Sequence, residues 1–152
     1  MENQLEVPKS VFIPACGIGE VVSQEEVEGR RFITISQPAA LGSNQRISRR
    51  VRPDSLAIYP INAEVARKVL SILVNPPEII GPARARVRQA QIAVKSGGPE
   101  DLAENLGNVR DVSSSTARAA RATAVLLLRE YAKALPDSKE QEALKVALDA
   151  VG

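Results

Sequence analysis

The sequence predicts an α+β fold in which a small antiparallel sheet is followed by a bundle of helices. Residues 1–61 hold both phenylalanines and most of the β-branched alternation, whereas residues 62–152 are rich in Ala, Leu and Arg. In the second part apolar residues recur at helical spacing, and proline and glycine pairs separate the periodic segments. A chain of 152 residues can form one domain or two small ones, and the change in composition favours two, 1–61 and 62–152.

Short strands joined by tight turns account for the first part. An apolar run ends at Pro14, and a glycine-containing turn leads into a second strand over 18–27. Glu28-Gly29-Arg30 is typical of a hairpin turn, after which 31–35 alternates as a third strand and 45–51 forms a strongly basic fourth strand. This pattern predicts a strongly bent antiparallel sheet or partial barrel.

About five helices are predicted in the second part. The first follows Asn62 and stops at Pro76-Pro77, because proline has no N–H to donate and disfavours the helical region for the residue before it. The second starts at Pro82 and the third at Pro99, after two glycines. Three serines at 113–115 supply N-cap oxygens for a longer fourth helix. A capping box formed by Ser138 and Gln141 predicts the last helix.

Composition argues against an enzyme. The chain has no His, one Cys and a formal net charge of +2, so it lacks the commonest general base, the commonest metal ligand and any internal disulfide. No glycine-rich phosphate loop, Ser/His/Asp set or metal-ligand spacing occurs. We therefore predict no catalytic residues, no metal, no cofactor and no small-molecule ligand. With no long apolar run and no signal peptide, we expect a cytoplasmic protein without a membrane partner.

Cationic side chains cluster on two of the predicted helices. On the second helix a basic ridge runs beside the apolar stripe, and a second basic stripe lies on the fourth helix. Two such stripes with few acids between them predict contact with the phosphate backbone of nucleic acid. The alternative is a pair of solvated faces. The candidate residues are Arg84, Arg86, Arg88, Lys95, Arg118 and Arg121.

The arginines of the fourth strand allow three interpretations. They can bind an acidic protein surface, bind nucleic acid, or protect an edge strand from aggregation. These arginines are Arg46, Arg49, Arg50 and Arg52.

The order of elements and several local strings resemble the CarD/CdnL/TRCF family of bacterial RNA polymerase-binding transcription regulators, over almost the whole chain. Residues 12–19 resemble the family's Tyr-Pro-x-His-Gly-Val-Gly turn, with both glycines kept but Ile13 and Cys16 in place of Tyr and His. Residues 63–78 match the family's first helix and its proline stop. Further matches in register are Arg86, Arg88, Lys95-Ser96-Gly97, Ala103-Glu104, Ser113, Arg118, Leu126, Leu127, Glu130, Ala132, Ala134 and Leu135.

The resemblance implies a two-domain transcription regulator. The N-terminal part would be a Tudor-like small β-barrel that binds the RNA polymerase β subunit, with Arg46, Ile47 and Arg49 on the contacting strand. The helical part would contact promoter DNA just upstream of the melted region with little sequence readout, modulating open-complex stability. We expect a monomer associated with the nucleoid.

Three departures from the family pattern modify this expectation. The family's wedge tryptophan aligns with Ala83 or Arg84, so we expect phosphate contacts without a wedge. The loop around Arg110-Asp111-Val112 is shorter, and Glu25 stands where an arginine often assists polymerase contact. The main alternative is a protein–protein adaptor that does not bind DNA, and a remote one is a processed fragment of a larger repair helicase.

Overall fold

The computed structural model describes residues 9–55 and 57–151, in which five strands precede five helices. The strands are β1 (Ser10–Ile13), β2 (Gly17–Val27), β3 (Arg30–Pro38), β4 (Arg46–Val51) and β5 (Tyr59–Pro60). The helices are α1 (Ala63–Val74), α2 (Ala83–Ser96), α3 (Pro99–Asn108), α4 (Ser115–Lys133) and α5 (Ser138–Val151). The predicted α+β class is therefore confirmed. No helix in these ranges is long and apolar enough to cross a membrane.

All strand pairs in the sheet are antiparallel, in the order β4-β3-β2-β1-β5, so β4 and β5 form its edges. The hairpin between β2 and β3 turns at Glu28 and Gly29, both of which have positive φ (52° and 78°), as a two-residue turn of the mirror-image type requires. This confirms the predicted turn. The two-residue strand β5 was not predicted.

One face of the sheet has an aliphatic core of its own. Val11, Ile13, Ile33 and Ile35 are buried together. Gly19 permits the close approach of these strands, since a Cβ atom at that position would lie 2.6 Å from Cγ2 of Ile35. The alternation predicted for residues 31–35 therefore places Ile33 and Ile35 of β3 on this face.

The strand β1 is buried on both faces. Val11 and Ile13 enter the sheet core, while Phe12 points the other way and belongs to the helical core. Its ring meets those of Tyr59 and Tyr131 edge to face, with centroids 6.5 Å and 6.2 Å away. Such geometry places a positive ring edge over a negative ring face. Residue 61 remains a predicted domain boundary, but the two parts pack together through this aromatic cluster of Phe12, Tyr59 and Tyr131.

The helix boundaries follow from local chemistry, with one correction. The Asn62 side chain accepts a hydrogen bond from the Val65 N–H at 2.9 Å and so caps α1. The predicted capping box of Ser138 with Gln141 is wrong. Instead, the Asp137 carboxylate accepts the Lys139 N–H at 2.8 Å, and the Gln141 amide donates to the Leu135 carbonyl at the end of α4.

Truncation of Phe12 should destabilise the sheet and the helices together. We expect Phe12→Ala to lower the free energy of unfolding by about 3–5 kcal/mol, because it removes a fully buried ring and leaves a cavity. Phe32→Ala is the matched control, since Phe32 is half-buried and stacks under Arg50; it should cost less than about 2 kcal/mol. Urea unfolding measures both, and equal losses would contradict the role given to Phe12.

Tyr131 should make the protein sensitive to alkali. Burial raises the pKa of its phenol from 10.0 to about 12. The unfolded chain ionises first, so this contribution to stability is complete below pH 10.0 and is lost as the pH rises toward about 12. Thermal unfolding of Tyr131→Phe should therefore depend less on pH in this range; parallel profiles would refute the assignment.

Candidate nucleic-acid interface and sheet edge

The exposed ridge of α2 consists of Arg84, Arg88 and Lys95. All three side chains are exposed and have no partner among the residues that the structure describes. The opposite face of α2 packs through the buried Ala90 and Ala93. The first turn of α2 contains no acidic residue. Three predicted phosphate-binding side chains therefore lie along one solvent-facing helix surface without a carboxylate partner, and we call them the α2 ridge.

Arg86, on the same helix, is held inside the protein. Its Nη1 donates to the Asn108 carbonyl at 2.7 Å and to Asp111 Oδ1 at 2.6 Å, and its Nε donates to the Gly81 carbonyl at 3.0 Å. Its side chain is only 12% exposed. The hydrogen bond from Arg86 holds the pKa of the Asp111 carboxyl below its usual value. Arg86 thus ties α2 to the connection between α3 and α4.

Arg121 has a similar internal role on α4. Its Nη1 donates to the carbonyls of Val109 and Val112, each at 2.6 Å. Arg110 completes this arrangement by donating to the carbonyls of Pro77 at 2.8 Å and Gly107 at 2.7 Å. Helix α3 has no basic residue in its last turn. These guanidinium groups supply charged donors to carbonyls at and beyond its end, and the carbonyls of Gly107 and Val109 also accept backbone N–H groups.

Arg118 completes the set of six predicted residues. It is exposed on α4 and has no partner in the described ranges. The structure thus leaves the α2 ridge and Arg118 available for a ligand, while it places Arg86 and Arg121 in the protein's own hydrogen bonds. This difference could not be predicted from the sequence, because the acceptors are mainly backbone carbonyls, which any residue supplies.

The edge strand β4 carries the predicted polymerase-binding residues. Arg46 donates to Oγ and the carbonyl of Ser36 at 3.0 Å and 2.8 Å. Ile47 lies on the other face of the strand and is 42% exposed. Arg49 shares that face, and its Nε is buried with no acceptor in the described residues. Ile47 therefore presents an exposed apolar side chain on this edge strand.

Glu25 is neutralised within the sheet. Its carboxylate oxygen lies 2.7 Å from Nη1 of Arg50 on β4, and the Arg50 guanidinium also sits 4.9 Å from the centre of the Phe32 ring. The exchange of sign noted in the sequence therefore produces an internal cross-strand pair next to the β4 edge.

Neither a protein-family model nor a curated protein matches this chain. In residues 9–55 and 57–151, no three Asp, Glu or Cys side chains come together as possible metal ligands.

Arg121 and Arg118 should differ in their effect on stability, although they lie one turn apart on α4. We expect Arg121→Ala to lower the free energy of unfolding by about 1.5–3 kcal/mol, because it leaves two carbonyls without their charged donor. Arg118→Ala should change it by less than about 0.5 kcal/mol. Chemical denaturation provides the comparison, and indistinguishable variants would show that Arg121 is not structural.

Proposed function

We propose that this protein is a non-enzymatic transcription regulator that binds the RNA polymerase β subunit through its sheet and promoter DNA through its helices. The α2 ridge is the observation that carries the proposal, because three cations with no partner in residues 9–55 and 57–151 follow one helix face. The resemblance to the CarD/CdnL/TRCF family supports it. In this proposal the sheet is a Tudor-like small barrel, and the protein acts as a monomer at the bacterial nucleoid.

The α2 ridge suits the phosphate backbone better than base edges. Phosphate contacts release condensed counterions and carry little sequence information. At the start of α2, Ala83 and Arg84 are exposed, and neither offers the large apolar surface that offsets the cost of separating stacked bases. We therefore propose sequence-independent binding to upstream DNA, with modulation of open-complex stability rather than strong distortion of the duplex.

The edge of β4 suits an extended polymerase segment. An exposed edge strand has free N–H and C=O groups that can pair with a strand of another protein. Ile47 adds an exposed apolar side chain on one face of this edge. Because both contacts belong to one assembly, attachment to polymerase raises the local concentration of the α2 ridge near DNA, so each contact can be weak alone.

Removal of charge from the α2 ridge should weaken DNA binding and its salt dependence. For a forked promoter fragment, we expect Arg84→Ala/Arg88→Ala to reduce the slope of log K against log salt by about 2, since each phosphate contact contributes about 0.9. The matched control is Lys139→Ala/Lys145→Ala, which removes the same charge from two exposed lysines of α5 whose side chains have no partner in the part of the chain that the structure describes. Fluorescence anisotropy over a range of salt concentrations measures both.

The same titration separates the proposal from its alternative. A protein–protein adaptor is favoured by the placement of Arg86 and Arg121 inside the fold, which reduces the cations available to DNA. No binding of the unaltered protein at low salt would reject the DNA contact and support the adaptor, whereas equal losses in the ridge and control variants would show that the α2 ridge is not the contacting surface.

Polymerase binding should depend on Ile47. We expect Ile47→Lys to reduce capture of the isolated β-subunit lobe at least tenfold, because it places a charge at the apolar contact of the β4 edge. Val22→Lys provides the control, since Val22 is 57% exposed on β2, an inner strand of the sheet. A pull-down with purified components tests this, and unchanged capture by Ile47→Lys would refute the edge assignment.

A further inference from the structure

An open groove of about 540 Å³ lies between α2 and α4. Five polar side chains line it, Gln91 and Lys95 from α2 and Ser115, Thr116 and Thr123 from α4. Val94, Ala119 and Ala120 supply the rest of the lining, so no bulky ring fills the space between the helices. We call this feature the α2–α4 groove.

The groove exists because alanines form the contact between these helices. Ala90 of α2 and Ala120 of α4 are buried in one cluster with Val109. Small side chains allow close approach of the helix backbones, but they leave the space beside the contact line open. The longer side chains on that side, Lys95 and Gln91, reach over the opening from α2.

The polar groups of the groove have no partners in the described part of the chain. None of the five side chains makes a hydrogen bond or ion pair there. No carboxylate lines the groove. The groove therefore presents an ammonium group, an amide and three hydroxyls, all able to donate, with no negative charge to compete for them.

We propose that the α2–α4 groove binds one phosphodiester group of the DNA backbone, an inference that rests on the proposed function. Lys95 supplies the charge, and the Ser115 and Thr116 hydroxyls with the Gln91 amide donate to the phosphate oxygens. Hydrogen bonds to an ionised acceptor are stronger than neutral ones. Lys95 also belongs to the α2 ridge, so the groove continues the surface along which that ridge follows the DNA strand.

In this proposal α4 contributes to phosphate binding through side chains other than its arginines. Arg121 is held by Val109 and Val112, and Arg118 does not line the groove. The fourth helix would therefore bind phosphate through neutral hydroxyls near its start. Neutral donors add affinity without releasing further counterions, so their loss leaves the salt slope unchanged.

The test uses the full chain and the forked promoter fragment. We expect Ser115→Ala/Thr116→Val to raise Kd about tenfold with the same salt slope as the unaltered protein, whereas Lys95→Ala should lower the slope by about 1. Ser71→Ala, which removes an exposed hydroxyl from α1, is the control for the loss of a hydroxyl and should bind DNA normally.

As a second pair, Ala119→Glu adds a carboxylate to the groove and Ala150→Glu adds one to the exposed end of α5. Only Ala119→Glu should weaken binding tenfold or more.

Each outcome separates this inference from the proposed function. If the unaltered protein binds DNA and both Ser115→Ala/Thr116→Val and Ala119→Glu bind equally well, the groove assignment is overturned while the α2 ridge stands. If the unaltered protein does not bind at low salt, the DNA function itself fails. Inorganic phosphate alone, followed by NMR signals of Lys95 and Thr116, tests the source of the phosphate. Signals that respond to millimolar phosphate but not to the duplex would overturn the assignment to DNA.

Discussion

The packing of Phe12 against Tyr59 and Tyr131 is the contact on which the rest of the structure depends. This contact joins β1 to α4, the longest of the five helices. The other face of β1 belongs to the sheet core. Gly98 fits under the Tyr59 ring, where a Cβ atom would lie 2.6 Å from the ring carbons, so α3 approaches the same cluster. A chain with 3% aromatic residues thus uses three of them where its two parts meet. This contact limits the spacing between the β4 edge and the α2 ridge, and a spacing that matches the span of the two proposed sites raises the effective concentration at the second site.

Formal charge alone does not identify a binding surface in this protein. Arg86, Arg110 and Arg121 look like their exposed neighbours in sequence, yet they bind the carbonyls around the end of α3. Without them the carbonyls of Asn108 and Val112 would lose their side-chain donors, each at a cost comparable to a lost hydrogen bond. The internal arginines therefore hold α2, α3 and α4 in place, and the free ones on α2 take their position from that support. An internally bonded arginine and arginines without a partner in the described residues occupy alternate positions of the same helix, as Arg84, Arg86 and Arg88 show.

The sequence predicted most elements because their signals are local. The proline stop after α1, the serine cap of α4 and the two-residue turn at Glu28 each depend on residues a few positions apart. The features that were missed depend on distant partners. Strand β5 is defined by its pairing with β1, about 50 residues earlier along the chain. Asp111 meets Arg86 across 25 positions, and the α2–α4 groove exists only once two alanine faces have packed. For the same reason, helical spacing placed Arg84, Arg88 and Lys95 on one exposed face of α2, whereas it did not reveal which arginines form hydrogen bonds within the protein.

Native-state hydrogen exchange tests most directly whether the aromatic cluster unites the sheet and the helices. The relevant amides are those of Ile33 and Ile35 in β3 and of Leu127 and Leu128 in α4, all within the two buried cores. If the parts form one cooperative unit, both groups should exchange with the same opening free energy, equal to that of global unfolding, and Phe12→Ala should lower both equally. Exchange of the β3 amides through a smaller opening that leaves α4 protected would contradict this account.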